Sequence, residues 1–168
     1  NIAIPDMEKS FGVSTEDIQW VTTAYSLTLG VLVPASGWLG ALRDLRVHSN
    51  QLAVLPPDLG KLPSLRMLDV SANPLTNAVQ AVAGLRRLEV LHIANLGLSV
   101  FPVEVTELQS LKSLHVGGNG LKDLPPELAK LKALEVLGLD GNGFTSIPRV
   151  VTQMRSLKTL SMKFNRVT

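Results

Sequence analysis

Leucine returns along this chain at a fixed interval. Leu42, Leu65, Leu88, Leu111, Leu134 and Leu157 stand 23 residues apart, with no insertion or deletion between them. In each register apolar residues follow three and five positions later: Leu45 and Val47, Leu68 and Val70, Leu91 and Ile93, Leu114 and Val116, Leu137 and Leu139, Leu160 and Met162. The closing step of two is strand alternation, which sends those side chains to one face and their neighbours to the other. Eight positions after the first leucine comes Asn50, Asn73, Asn119, Asn142 or Asn165, and two further on an apolar residue closes the motif. The second half of the unit carries Leu55-Pro56, Phe101-Pro102, Leu124-Pro125 and Ile147-Pro148. Apolar pairs three residues apart follow, such as Leu59/Leu62 and Leu128/Leu131. That spacing behind a proline predicts one or two helical turns.

A unit of this kind has a single apolar edge and cannot bury it alone, so stacked neighbours must supply the core. The asparagine amide can satisfy backbone groups where the chain turns inward, and a column of them would form a ladder. Two adjacent units depart from the pattern. The third has Leu96 at the asparagine position with Asn95 one place early, and the second runs Ala78-Val79 where the proline would be. Looser packing or altered curvature is the expectation over residues 74–98.

The L-x-x-L-x-L-x-x-N-x-L pattern resembles the leucine-rich repeat family, and its 23-residue Leu-Pro form is similar to the short-repeat class of intracellular Ras-pathway scaffolds. The resemblance covers residues 41–168, as five full repeats and a truncated sixth. It implies an α/β solenoid with a parallel concave β-sheet and short helical turns on the convex side. It also implies that function resides in side chains pointing out of the concave sheet, as a non-catalytic protein-protein interaction module.

Those outward positions are one, two, four, six and seven after each first leucine. The fourth-position column reads Arg46, Asp69, His92, His115, Gly138, Ser161, and the sixth reads His48, Ser71, Ala94, Gly117, Asp140, Lys163. With Arg43 and Arg66 from the first column, the candidate partner contacts are Arg43, Arg46, His48, Arg66, Asp69, His92, His115, Asp140 and Lys163. Phe164 is the sole aromatic expected on this face, and Ala94, Gly117, Gly118, Gly138 and Gly141 leave its centre shallow. A face so poor in Trp, Tyr and Phe predicts moderate affinity for an extended or convex protein surface. His92 and His115 would be cross-strand neighbours, close enough to share a metal or sense pH. No third ligand accompanies them, so neither metal nor cofactor is assigned.

Composition narrows the function classes further. Sixteen Lys+Arg against fourteen Asp+Glu leave no strongly basic face for nucleic acid. Cysteine is absent, which removes disulfides, thiolate metal sites and cysteine nucleophiles and fits a cytoplasmic location. No G-x-S-x-G, G-x-x-x-x-G-K-[ST] or H-E-x-x-H occurs, and Gly117-Gly118-Asn119-Gly120 falls where a strand meets its turn. Catalysis is not expected.

Residues 1–40 follow another pattern. They carry a net charge of −3 against +5 for the remainder, and no charged residue occurs from Ile18 to Leu42. Twenty-five uncharged positions could cross a hydrocarbon core of about 30 Å, although Gln19, Thr22, Thr23, Ser26 and Pro34 dilute the stretch. Ser14 and Asp17 offer a capping box for a hydrophobic helix. Asn1-Ile-Ala-Ile-Pro5, Ile18-Gln19-Trp20-Val21 and Pro34-Ala35-Ser36-Gly37-Trp38-Leu39-Gly40 resemble the first two transmembrane helices of major facilitator superfamily multidrug:proton antiporters. The acidic residues that the resemblance places before Asn1 and at Ala41 are missing, so neither transport element is carried over. The helix either covers the first repeat or associates with a membrane through residues 18–42. Its abrupt join to the repeats near Gly40–Ala41, and a start at Asn1, predict a fragment of chimeric or artificial origin.

Overall fold

The computed structural model describes residues 40–168. The expected helix within residues 1–40, and with it the choice between covering the repeats and meeting a membrane, lies outside the described residues. Six three-residue strands form one parallel sheet in chain order: β1 (Asp44–Arg46), β2 (Met67–Asp69), β3 (Val90–His92), β4 (Ser113–His115), β5 (Val136–Gly138) and β6 (Thr159–Ser161). The pairing register is constant, with Leu45 opposite Leu68, Leu68 opposite Leu91, and so on to Leu160. Four of the five crossovers return on the other side through a short 3-10 helix, over Pro57–Lys61, Val103–Glu107, Pro126–Lys130 and Arg149–Gln153. In four units out of five, then, the turn after the proline is tighter than an α-helix. A parallel solenoid with helical turns opposite the sheet is the architecture that the 23-residue period demands.

The core runs between these layers. Leu68, Leu91, Leu114 and Leu137 are wholly enclosed, and the convex leucines Leu59, Leu108, Leu128 and Leu131 close over them. Burying one such side chain contributes about 1.5–3 kcal/mol, so the repeated leucine column is the main favourable term. Ile147 departs from its column. Its counterparts Leu55, Phe101 and Leu124 are buried, whereas Ile147 is 55% exposed.

Asparagine closes the inward turn as expected. The Asn142 amide nitrogen donates to Leu139 O at 3.0 Å in its own unit and to Val116 O at 3.1 Å in the unit before, while its oxygen accepts the Leu121 N–H at 3.1 Å. Asn73 repeats the scheme with Val70, Val47 and Leu52. Both side chains are buried, so three backbone groups that water cannot reach are satisfied by one amide. At Leu96 the ladder misses a rung. Asn119 compensates on one side by accepting both the Leu96 and the Leu98 N–H, each at 3.0 Å.

Position seven differs in backbone from the strand positions before it. In all six units it is the corner where the chain leaves the sheet in the left-handed region: Ser49 (φ 57°), Ala72 (53°), Asn95 (54°), Gly118 (63°), Gly141 (65°) and Phe164 (57°). Glycine is at ease there and asparagine tolerates it, while other L residues are strained by about 1–2 kcal/mol. This adds to Gly118, Gly141 and Phe164 a backbone requirement that the repeat spacing does not show. It also explains the early asparagine of the third unit, because Asn95 fills the corner and leaves position eight to Leu96. At Gly118 an added Cβ would also overlap the Asn95 side-chain oxygen, so that side chain would have to move.

The second unit is not loosely packed. Its missing proline is replaced by an α-helical turn, α1 (Ala78–Val82), in front of which Asn77 accepts the Leu55 N–H at 2.7 Å and donates to Leu55 O at 2.8 Å. Gly84 lies so close to Gly60 that a Cβ would meet Gly60 O at 2.6 Å. The expectation of slack over residues 74–98 is therefore replaced by a different turn with tight backbone contact.

The ladder's energetics are open to a direct comparison. Asn142→Ala strands three buried backbone groups and should cost about 3 kcal/mol or more, at about 1 kcal/mol or more each. Asn50→Ala should cost about 1 kcal/mol or less, since Asn50 bonds only Val47 O and His48 O within its own unit. Urea unfolding of the two variants measures the difference, and equal losses would refute the ladder's role.

Candidate functional site

Parallel pairing in constant register turns columns of the repeat into rows across the concave sheet. The fourth-position row brings Arg46, Asp69, His92 and His115 side by side, followed by Gly138 and Ser161. Adjacent members sit about 4.8 Å apart along the strand-to-strand direction. The His92 and His115 rings pack edge to face with centroids 4.4 Å apart. His92 Nδ1 lies 3.6 Å from Asp69 Oδ2, and His115 Nε2 is 3.1 Å from Ser113 Oγ. The His115 ring lies across the backbone of β5, where a Cβ on Gly138 would come within 2.6 Å of Nδ1. Glycine at 138 is what lets the ring take that position.

The electrostatics of the row follow from these contacts. Burial by itself pushes the Asp69 carboxyl up. Hydrogen bonds from His92 and from the Ser71 N–H and hydroxyl, with the charge of His92, outweigh it and hold the carboxyl at about 2. The Ser71 N–H donates to Asp69 Oδ1 at 3.0 Å. His115 moves down from the ordinary histidine range, chiefly because burial disfavours its charged form and secondarily because His92 is near. Asp140 and Asp69 oppose the shift.

The remaining candidates do not converge on this row. Arg43 and Arg66 stand in the first-position row, where Arg66 pairs with Glu89 at 3.5 Å, Lys112 with Glu89 at 2.7 Å and Lys158 with Glu135 at 2.9 Å. That alternation of sign was readable in the first column. It ties Arg66 into the sheet and leaves it less available than a free arginine. His48 and Lys163 occupy opposite ends of the sixth-position row, and His48 Nδ1 meets the Ser49 hydroxyl at 3.2 Å. Asp140 Oδ1 accepts the Ser161 hydroxyl at 2.5 Å and the Lys163 N–H at 2.6 Å, so this carboxylate braces the last turn. The second position adds a half-buried stripe that the candidate set omits, Met67, Val90 and Val136. Among the described residues no group of three His, Cys, Asp or Glu side chains could hold a metal ion. No helix among them is long and apolar enough to cross a membrane.

Residues 109–167 match the family described as leucine rich repeat. Among solved structures, the fold is similar to a leucine-rich repeat protein of Leptospira interrogans (28% identity, 76% of this chain and 38% of that one, TM-score 0.60). It is also similar to the internalin inlF of Listeria monocytogenes (26%, 74% and 35%, TM-score 0.63). A third neighbour is the Arabidopsis receptor kinase HAESA in complex with the peptide hormone IDA and the co-receptor SERK1 (27%, 74% and 22%, TM-score 0.62). A stretch of 39 residues is 51% identical to the lincomycin resistance protein LmrB of Listeria monocytogenes and 49% identical to that of Bacillus subtilis. This stretch is 23% of the chain and spans only 8% of those transporters' length. Together these findings support a leucine-rich repeat protein carrying a short transporter-like match.

The Asp69 carboxyl makes stability depend on acid. Its value is lower in the folded chain than in the unfolded one, so its contribution is present above about pH 4 and is lost as pH falls toward 2. The parent should exceed Asp69→Asn in stability at pH 5–7, and the gap should close between pH 4 and 2. Denaturant titrations at each pH measure it, and a gap unchanged down to pH 2 would contradict the assignment.

Proposed function

We propose that residues 41–168 form a non-catalytic protein-binding module that holds a protein partner on the concave face of the solenoid. The observation that carries this reading is the row Arg46–Asp69–His92–His115: polar side chains set side by side in fixed register across one sheet. The structural neighbours support it, since one of them is a receptor kinase seen with a peptide hormone and a co-receptor. Arg46, His92 and His115 form the centre of the contact, and Arg43, His48, Arg66, Asp69, Asp140 and Lys163 its surround. A partner of extended or convex shape fits the shallow middle of the sheet. Replacing Arg46, His92 and His115 together by Ala should abolish capture of a partner that the parent retains, while shifting unfolding by about 1 kcal/mol or less. Undiminished capture would move the site off this face.

A second reading is favoured by the transporter-like match. In it, residues 1–40 derive from a multidrug transporter, were joined to the repeats near Gly40–Ala41, and bring an otherwise cytoplasmic module to a membrane through residues 18–42. The whole chain should then partition into lipid vesicles while residues 41–168 remain in the aqueous phase. Equal partition of the two would remove this reading.

A further inference from the structure

We propose that the concave face takes an acidic peptide, one of whose carboxylates sits on the His92–His115 pair, and that protonation of the pair strengthens the complex. This rests on the concave-face reading above and names the chemistry of its partner.

Charge complementarity comes first. The concave rows hold six basic side chains against five acidic ones, a net of +1 that rises to +4 when His48, His92 and His115 are charged. The acids are largely committed within the sheet, as are Arg66, Lys112 and Lys158 through the same ion pairs, which leaves Arg43, Arg46 and Lys163 as the cations outside them among the described contacts. Asp69 is bonded by Ser71 and faced by His92, Glu89 by Arg66 and Lys112, Glu135 by Lys158, and Asp140 by Ser161 and Lys163. Only Asp44, at the exposed edge strand, has no such bond among the described contacts.

Geometry singles out the pair. His92 and His115 lie on β3 and β4, in the middle of the sheet, with rings 4.4 Å apart. Two charged imidazoles at that distance repel unless an anion lies beside them. Asp69 on β2 serves His92. The groups facing His115 are His92 on β3, Ser113 on its own strand, Asp140 beyond β5 and, past His92, Asp69 on β2. Asp140 has Oδ1 taken by Ser161 and Lys163. Among the described residues no carboxylate is bonded to His115, so a ligand's would be its first direct counter-charge. Near it Ala94 and Gly117 keep the surface low, so that an incoming backbone can approach and place a carboxylate on the rings.

Thermodynamic linkage then fixes the direction. The burial and like charge that hold His115 down are offset by a bound carboxylate, so binding takes up a proton and affinity rises as pH falls.

The probe is an acetylated, amidated octapeptide of alternating Glu and Ala, with its Gln/Ala counterpart as control, titrated into the whole chain by fluorescence anisotropy. The Glu peptide should bind about tenfold more tightly at pH 5.5 than at pH 7.5, and the Gln peptide should show no such change. His115→Gln should erase the ratio. The His115 ring proton, followed by NMR in the parent, should titrate at higher pH with the Glu peptide present. This readout needs no variant to fold. A ratio that survives His115→Gln, an unmoved titration, or no binding at either pH would each overturn the proposal. None of these outcomes touches the broader reading, which fails only if a captured partner ignores the triple alanine replacement at pH 7.5.

Discussion

Everything in this solenoid depends on one recurring problem of hydrogen bonding. A chain that coils every 23 residues must bring peptide groups to the inside of a turn that water cannot enter, and an unbonded group there costs more than a good contact returns. Asn73, Asn119, Asn142 and Asn165 solve it with a side chain that is donor and acceptor at once, bonding to its own unit and to the one before. Because those bonds cross between units, they also lock the register. The leucines supply the driving force, but they would tolerate a slide of the stack that the asparagines do not. Fixed register is in turn what lines up Arg46, Asp69, His92 and His115.

Most of the architecture was legible in the sequence because the period is strict. A constant step needs no estimate of loop length, so the strands, their order and the adjacency of His92 to His115 followed from arithmetic. What the spacing could not show is the backbone conformation at position seven. The chain leaves the sheet there with positive φ, and Ser49, Ala72 and Phe164 give no hint of it in their residue types. Gly118 and Gly141 did carry the signal, as did Asn95. The second unit was misjudged for a related reason: a missing proline suggested slack, whereas Asn77 and the Gly60–Gly84 approach secure the turn by means outside the repeat pattern.

The candidate surface was legible as rows and not as contacts. Sequence spacing placed Arg66 and Asp140 on the right face, yet only side-chain positions reveal that Glu89 holds the first and that the second braces the corner beneath Lys163. Nor could spacing show that Gly138 is the seat of the His115 ring. A glycine in a binding row reads as an empty place in one dimension and as a platform in three. The transporter-like portion has no period at all, and its meaning came from similarity of residues alone.

The left-handed corners leave a reserve of latent robustness. At Ala72 the strain of about 1–2 kcal/mol exceeds the extra chain entropy of about 0.5–1 kcal/mol that a glycine would bring, and the replacement lies clear of the histidine row. The scaffold could thus be hardened from its rim inward, one corner at a time, with its recognition chemistry untouched.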